Sequence, residues 1–298
     1  MLAGFDRAVG AGAQAHVGDS APVAVGGDAC MPSSVGRQMP LLEFDQVSIE
    51  YAGKRVLHDV GLSVMPGESL GIAGESGSGK STLLKAAVSL LGHGGRVSAG
   101  RILFRGADMA GMTAEELRCL RGAEVGMVFQ DCLASFAPTR TLRSQLAESL
   151  VAHGRCLPGW ESRACELLSC FGIADPMRVL DSYPFQLSGG MGQRAGIVFA
   201  LMLQPSIVLA DEPTSALDAV SLKMVVEELA SLCREQGTSL VVVSHNMAVI
   251  KRLAGKVVIL KEGEVVEAGA TDAVFAAPSH PYTRELLSAV PSIEGGCV

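Results

Sequence analysis

The sequence has little charge, few aromatic residues and no long apolar run. Of its 298 residues, 18% are charged and 4% are aromatic, and the formal net charge is −7. Soluble domains usually carry about 25% charged residues. The densest apolar segment, Ile197 to Leu203, stops at Gln204 and Pro205, whereas a spanning helix needs roughly 18 or more consecutive apolar residues. We therefore expect a soluble chain.

Other absences narrow the possible functions. There is no long Lys/Arg run, which argues against a nucleic-acid partner. The 8 cysteines form no C-x-x-C pair, so their spacing gives no support for a zinc or cluster site. Scattered cysteines in a chain of this size indicate reduced, buried thiols in a cytosolic protein. Hydrophobic residues nevertheless make up 48% of the chain, so a large core can form and whole-chain disorder is excluded.

The first 40 residues differ from the rest. Met1–Pro40 is rich in Gly and Ala, and it lacks the basic start and unbroken apolar stretch of a signal peptide. We expect a flexible tail over residues 1–40. The alternative is that translation begins at Met39, because Met39–Phe44 leads directly into regular sequence.

Short apolar runs predict an α/β fold with a mostly parallel sheet. Residues from Leu42 to Ile49 roughly alternate between apolar and polar, as in an edge or half-buried strand. Four solid runs suit strands that are buried on both faces. These runs are Leu70–Ala73, Val125–Phe129, Ile207–Ala210 and Leu240–Val243. Helical patterns lie between them, and Lys256–Leu260 and Glu264–Glu267 flank a hairpin signal.

The middle of the chain lacks strand signals. Thr141–His153 and Glu161–Phe171 are both helical in period. We predict a helical subdomain over about residues 131–190, inserted between two parts of the α/β core.

A phosphate loop follows the first buried strand. Residues 74–82 match G-x-x-x-x-G-K-[ST]. The glycines let successive backbone N–H groups point at one anion, and the following helix adds its positive end. Lys80 is expected to reach the β- and γ-phosphates, and the Ser81 hydroxyl to ligate Mg²⁺. The nucleoside triphosphate site predicted here consists of Gly74, Glu75, Ser76, Gly77, Ser78, Gly79, Lys80, Ser81 and Thr82.

Two acidic residues end a second buried strand. Because carboxyl ends of parallel strands share one edge of the sheet, Asp211 and Glu212 are expected beside the phosphate loop. Asp211 would hold Mg²⁺, directly or through water, and Glu212 would polarise the attacking water.

Three further residues are candidates for the nucleotide site because of their positions relative to the strands. Gln130 ends the strand before the helical insert, where it can reach Mg²⁺ or the attacking water. His245 follows the strand Leu240–Ser244 and can contact a γ-phosphate, although a lone His there is often a capping or packing residue. Tyr51, which lies 23 residues before Gly74, can stack on adenine. Plain core packing is the alternative for Tyr51.

A second anion-binding loop lies at the end of the insert. Ser188 is a good N-cap, and Gly189 and Gly190 leave N–H groups open before Met191. One γ-phosphate does not need two such loops from the same face. We therefore expect this loop to act on a nucleotide held by a partner.

The ordered motifs resemble the ATP-binding subunits of ABC transporters over nearly all of residues 41–269. They are Tyr51, Gly74–Thr82, Gln130, Leu187–Met191, Asp211–Glu212, Ser215–Asp218 and His245. The resemblance implies an ATPase with a P-loop NTPase (RecA-like) core, an antiparallel β subdomain and an inserted helical subdomain. It also implies ATP and Mg²⁺ as cofactors, and a head-to-tail dimer in which each ATP lies between one phosphate loop and the partner's signature loop.

Roles and partners follow from the same resemblance. Glu212 is expected to be the catalytic base, His245 the switch histidine, and Asp218 part of a loop that crosses the dimer interface. The expected partners are a second ATPase subunit, non-identical or identical, two integral membrane permease subunits and, indirectly, an extracytoplasmic solute-binding protein. The expected location is the cytoplasmic face of the cell membrane.

The finer resemblance is to the oligopeptide/dipeptide/nickel importer branch. It rests on Tyr183–Met191, Ser135–Thr139 and the tail His280–Leu287, within a short C-terminal segment over residues 271–298. Many members have a longer extension with a cysteine cluster, whereas this tail contains only Cys297. We therefore expect no iron–sulfur cluster and lean slightly toward metal or metal-chelate import. The alternative functions are the ATPase of an exporter or of a soluble ABC complex outside transport.

Several residues depart from the family pattern without removing a catalytic group. Met191 replaces the usual glutamine, Gly192 a frequent arginine, Cys132 a proline and Asn246 an aspartate. Gly192 and Gly196 both fall in the helix after the signature loop, where each is expected to cost roughly 1 kcal/mol relative to Ala. We expect activity to be retained, with a less rigid signature helix.

Overall fold

The structure is a computed structural model that describes residues 39–155 and 158–288. The predicted tail, apart from its last two residues, lies outside the described residues. So do Cys30, Cys156 and Cys297, and with Cys297 the prediction about an iron–sulfur cluster.

Ten strands and eleven α-helices form the described chain. The strands are β1 (Leu42–Tyr51), β2 (Lys54–Val64), β3 (Ser69–Ala73), β4 (Gly95–Phe104), β5 (Ala107–Asp108), β6 (Val125–Val128), β7 (Ile207–Asp211), β8 (Ser239–Val243), β9 (Lys256–Lys261) and β10 (Glu264–Ala270). The helices are α1 (Lys80–Ala86), α2 (Ala114–Ala123), α3 (Cys132–Ser135), α4 (Leu142–Ala152), α5 (Trp160–Cys170), α6 (Pro176–Asp181), α7 (Gly189–Met202), α8 (Ala219–Gln236), α9 (Met247–Leu253), α10 (Thr271–Ala276) and α11 (Pro281–Ser288).

The larger sheet has the order β10-β9-β3-β8-β7-β6. Its inner pairs are parallel, and only the hairpin of β9 and β10 is antiparallel. The four apolar runs form β3, β6, β7 and β8, as predicted. The α/β fold class is therefore confirmed.

Burial on both faces explains the solid apolar runs. Alternate residues of a strand point to opposite faces. Ile207 and Leu209 of β7 lie in one apolar cluster with residues of β1 and α1. Val208 and Ala210 lie in a second cluster with residues of α7, α8 and α9. Because neither face of the strand meets water, no polar residue is required within it.

The smaller sheet is antiparallel and has the order β2-β1-β4-β5. Of the two alternatives for the first strand, the half-buried strand is confirmed, because β1 lies between β2 and β4 rather than at an edge. Its alternation breaks at Gln46, which has a φ of +51° and lies where the register shifts against β4. Opposite this bulge stands Gly100, with a φ of +77°, where a Cβ would lie 2.2 Å from the Gln46 carbonyl oxygen.

Between β6 and β7 the described residues contain helices and connecting loops only, from α3 to α7. The signature helix α7 packs closely on α3. A Cβ at Gly192 would lie 2.3 Å from Cδ2 of Leu133, and a Cβ at Gly196 would lie 2.2 Å from Sγ of Cys132. The two glycines therefore form a surface without side chains on which α3 rests. The boundaries of a helical subdomain stay a prediction.

The described cysteines are unbridged. Cys132 and Cys233 are buried, as predicted, whereas Cys119 and Cys170 are exposed and Cys165 is half-buried. The expectation of uniformly buried thiols is therefore wrong for these three, which lie on helices at the surface. Among the described helices, none has both the length and the apolar character needed to span a membrane.

Candidate nucleotide site

The phosphate loop lies between β3 and α1. Gly74, Gly77 and Gly79 have φ values of +152°, +85° and +101°, a region that residues other than Gly rarely adopt. A Cβ at Gly74 would lie 2.1 Å from the Leu260 carbonyl oxygen, and one at Gly79 would lie 2.4 Å from Cδ2 of Leu57. Glycine is therefore required at both positions for conformation and for space.

Lys80 is folded back onto its own loop. Its Nζ donates to the carbonyl oxygens of Gly74, at 2.8 Å, and Glu75, at 2.6 Å, and lies 3.4 Å from Oγ of Ser78. Burial lowers the pKa of Lys80, and the carboxylates of Glu212, Asp211 and Glu75 oppose that shift. The ammonium group is thus positioned where an added anion would stabilise its charge.

Ser81 and Asp211 meet across the sheet edge. The Ser81 hydroxyl donates to Oδ1 of Asp211 at 3.0 Å. Asp211 ends β7 and is buried. Burial raises the pKa of Asp211, although the Ser81 hydrogen bond acts in the opposite direction. A hydroxyl and a carboxylate that face one point form an oxygen donor set of the kind that Mg²⁺ prefers.

Glu212 is fixed by the turn that follows β8. Its Oε1 accepts the backbone N–H of His245 at 2.9 Å and lies 2.8 Å from Nδ1 of the same residue. Its Oε2 accepts the Ser244 hydroxyl at 3.3 Å. Glu212 has a φ of +47°, which is uncommon for a residue with a side chain. The carboxylate is therefore held by several donors on a strained backbone.

One cavity of about 350 Å³ brings most of the predicted site together. Its volume is within the usual range for small-molecule sites, roughly 300–1,000 Å³. Predicted residues on its wall are Ser76, Gly77, Gly79, Lys80, Ser81, Thr82, Gln130, Glu212 and His245. The His245 side chain is 68% exposed, so its ring borders open space as well as Glu212.

Tyr51 does not line this cavity. Its hydroxyl donates to the Leu91 carbonyl oxygen at 2.7 Å. Its ring lies against Gly95, where a Cβ would come within 2.6 Å of the ring edge. The structure therefore shows the packing role that the sequence left open, and adenine stacking stays a prediction.

The loop predicted to bind a second anion, Ser188–Met191, does not line the cavity either. Ser188 caps α7 by accepting the N–H of Met191 at 3.3 Å. Gly190 lies beside Ala216 and Leu217. These two residues directly precede Asp218 in the chain. Asp218 caps α8 by accepting the N–H groups of Val220, at 3.1 Å, and Ser221, at 3.0 Å, and these bonds, that of Ser221 above all, lower its pKa.

Sequence reasoning missed two contacts of the site. The first is the hydrogen bond that the Ser244 hydroxyl donates to Glu212. The position of Ser244 directly before His245 could have predicted this contact. The Tyr282 hydroxyl accepts the backbone N–H of Glu75 at 3.0 Å. Tyr282 belongs to the C-terminal tail motif, and nothing in the sequence connects it to the phosphate loop.

Comparison with known proteins identifies related chains. The sequence profile described as "ABC transporter" matches residues 57–215, and the profile described as "Oligopeptide/dipeptide transporter, C-terminal region" matches residues 266–296. The dipeptide transport ATP-binding protein DppD of Escherichia coli is 40% identical over 258 residues, which cover 85% of this chain and 79% of that protein. The oligopeptide transport ATP-binding protein OppD of Lactococcus lactis is 36% identical, with 85% and 77% covered.

Solved structures agree with this grouping. The dimeric ATP-binding cassette MJ0796, in a post-hydrolysis state bound to ADP and Pi, superposes with a TM-score of 0.69 at 30% identity. The match covers 77% of this chain and 98% of that one. The predicted core of the P-loop NTPase type is therefore confirmed.

Proposed function

Because this chain belongs to the ABC transporter family, we propose that it is the ATP-hydrolysing subunit of an importer for di- or oligopeptides. The observation that carries the proposal is the convergence of Lys80, Ser81, Glu212 and His245 on one cavity. The match of the C-terminal tail to peptide transporters supports the peptide class over the metal chelates toward which the short tail leaned.

The phosphate loop would bind ATP by an exchange of partners. Lys80 now donates to the carbonyl oxygens of Gly74 and Glu75. Its Nζ would leave these carbonyl oxygens and donate to the β- and γ-phosphate oxygens. The negative phosphates would stabilise the charge of the buried ammonium group. Glu212 would then accept a proton from the attacking water, and His245 would contact the γ-phosphate with its outer ring nitrogen.

The oxygen donors at and next to the cavity fit Mg²⁺. Ser81 and Gln130 line the cavity, and the buried carboxylate of Asp211 lies 3.0 Å from the Ser81 hydroxyl. Protein Mg²⁺ sites usually use one or two carboxylates together with substrate phosphates. Bound there, the ion would neutralise charge on the β- and γ-phosphates.

A second ATPase subunit would complete the site. Ser188 to Met191 and Asp218 do not face this chain's own cavity, and the loop of Gly190 lies against residues 216–217. We propose that these two segments form one surface that acts on ATP held by a partner. The partner is a related, non-identical subunit or a second copy. The dimeric cassette MJ0796 supports this arrangement.

The permease would dock in a groove beside the helical insert, at the cytoplasmic face of the membrane. This insert groove, of about 290 Å³, is bordered by Met127, Phe136, Gln145, Ser149 and Phe199, among others. Phe129 and Cys132, on either side of Gln130 in the chain, also border it, so an occupant would be coupled to the nucleotide cavity. The proposal predicts that Ser149→Arg prevents copurification with the permease and leaves ATP binding unchanged.

The test is ATP turnover by the assembled transporter in lipid vesicles, stimulated by a peptide-loaded binding protein. Glu212→Gln should lower turnover by at least about 100-fold, since it removes a general base. Glu264→Gln, the same change at an exposed site on β10, should have no effect. Unchanged turnover in Glu212→Gln would contradict the proposal. Failure to copurify with any permease would favour a soluble ABC complex, and turnover stimulated by a solute on the ATPase side would favour an exporter.

A further inference from the structure

The C-terminal tail touches the phosphate loop at one point. Tyr282, in the first turn of α11, is 3% exposed. Its hydroxyl accepts the backbone N–H of Glu75 at 3.0 Å, across 207 residues of sequence. The function proposed above leaves this tail without a role. We propose that Tyr282 is a positioning residue that holds the Glu75 backbone in the conformation required for ATP binding.

The tail is anchored so that this hydroxyl has a fixed place. Glu267 of β10 accepts the N–H and hydroxyl of Ser279, each at 2.8 Å, and the N–H of His280 at 3.1 Å. Nδ1 of His280 accepts the Tyr282 N–H at 3.2 Å. Lys261 of β9 places its ammonium group 4.7 Å from the centre of the Tyr282 ring. Backbone and ring are thus restrained independently of Glu75.

Glu75 is held from both sides of its Cα. Tyr282 accepts its N–H, and Lys80 donates to its carbonyl oxygen at 2.6 Å. When Lys80 moves to the nucleotide phosphates, the carbonyl loses its donor. Tyr282 does not line the nucleotide cavity, so its hydroxyl can keep its bond when ATP occupies that cavity. Its contribution is therefore larger in the ATP-bound chain than in the free chain, which makes it a contribution to affinity.

The inference rests on the proposed ATP-binding role of the phosphate loop, and the experiment separates the two. ATP affinity is measured by calorimetry with the full-length chain, and KM and kcat with the assembled transporter. Tyr282→Phe should weaken ATP binding and raise KM by about fivefold, as expected for one neutral hydrogen bond, with kcat nearly unchanged. Tyr183→Phe, the same change on the exposed surface before the signature loop, should leave ATP affinity unchanged.

Tyr282→Phe with wild-type ATP affinity and KM overturns the inference, as does an equal loss in Tyr183→Phe. If Lys80→Ala also keeps its ATP affinity, the proposed function itself fails. If only Lys80→Ala loses affinity, the inference alone fails. Residue-resolved hydrogen exchange on the unmodified chain provides a second test that needs no variant. The Glu75 amide should stay protected when ATP is bound, and rapid exchange in the ATP complex would contradict the proposal.

Discussion

One carboxylate oxygen of Glu212 contacts both the backbone and the ring of His245. Oε1 of Glu212 accepts the His245 backbone N–H at 2.9 Å and lies 2.8 Å from Nδ1 of the same ring. Because Nδ1 faces Glu212, Nε2 is the ring nitrogen left for a phosphate oxygen. The residue predicted as the base and the residue predicted as the γ-phosphate sensor are therefore one hydrogen-bonded unit.

This pairing predicts different results for two amide substitutions of His245. The backbone N–H of His245 and the Ser244 hydroxyl still orient Glu212 without the ring. We therefore expect His245→Ala to lower ATP turnover by about 100-fold through loss of the phosphate contact. Gln, whose amide reaches the position of Nε2, should retain more turnover than Asn, which reaches only that of Nδ1. The reverse order in steady-state assays would assign the ring to orienting Glu212.

Asp211→Asn should stabilise the chain while it impairs function. Burial raises the pKa of Asp211, so the ionised carboxylate destabilises the folded chain above that pKa. The variant should unfold at higher denaturant than the wild type at pH 7 without nucleotide. Its advantage should shrink as the pH falls through the raised pKa, because the wild-type carboxyl then becomes neutral. Binding of ATP with Mg²⁺ should weaken in the same variant. A pH-independent stability difference would refute this explanation.

Glu267 should show the opposite pH dependence. Burial opposes the shift, but the nearby Thr283 hydroxyl and hydrogen bonds from Ser279 and His280 lower its pKa from 4.5 to about 2. Its contribution to stability is therefore complete above the unfolded-state pKa and is lost as the pH falls toward the folded-state value. Glu267→Gln should be less stable than the wild type at pH 7, and the difference should decrease between these two values. Urea unfolding over that pH range measures it, with Glu264→Gln as the exposed control.

The contact between α3 and α7 predicts a rescue at one glycine and not at the other. Gly192→Ala places a Cβ against Cγ and Cδ2 of Leu133, and overpacking of this kind typically costs about 1–3 kcal/mol. Leu133→Ala removes those atoms, so the double variant should be more stable than the sum of the single changes predicts.

At Gly196 the obstacle includes Cβ of Cys132, 2.7 Å from the added atom, which Cys132→Ala retains. The pair Gly196→Ala and Cys132→Ala should therefore show little rescue. The free energy of unfolding of the four single and two double variants measures both couplings. Equal rescue at both positions would show that α3 shifts as a whole.

The buried parallel sheet could be predicted from sequence because its cause is local. A strand that is apolar on both faces needs an unbroken apolar run, and β7 and β8 contain such runs. β4 could not be predicted in this way. It contains Arg96 and Arg101, and Gly100 interrupts its alternation. Its strand conformation depends on pairing with β1, which lies about 50 residues earlier.

The same distinction applies to the site. The residue types of the phosphate loop, of Asp211 and Glu212, and of His245 predicted which groups meet, because strand order places them at one edge. The contact of Tyr51 with Gly95 and the bond from Glu75 to Tyr282 depend on tertiary packing between distant segments. No periodicity or spacing encodes such a contact.

The glycine surface of α7, formed by Gly192 and Gly196, packs so closely on α3 that the two helices should move together. α3 begins two residues after Gln130 and rests on the α7 backbone at Gly192 and Gly196. Long side chains can absorb a small displacement by changing rotamer, whereas close contact with backbone transmits it. A shift of the loop at Gln130 would therefore move α7, and with it Ser188, as one body. In the proposed dimer, the glycines that weaken an isolated helix would therefore tighten the link between the nucleotide cavity of one subunit and the surface that faces its partner.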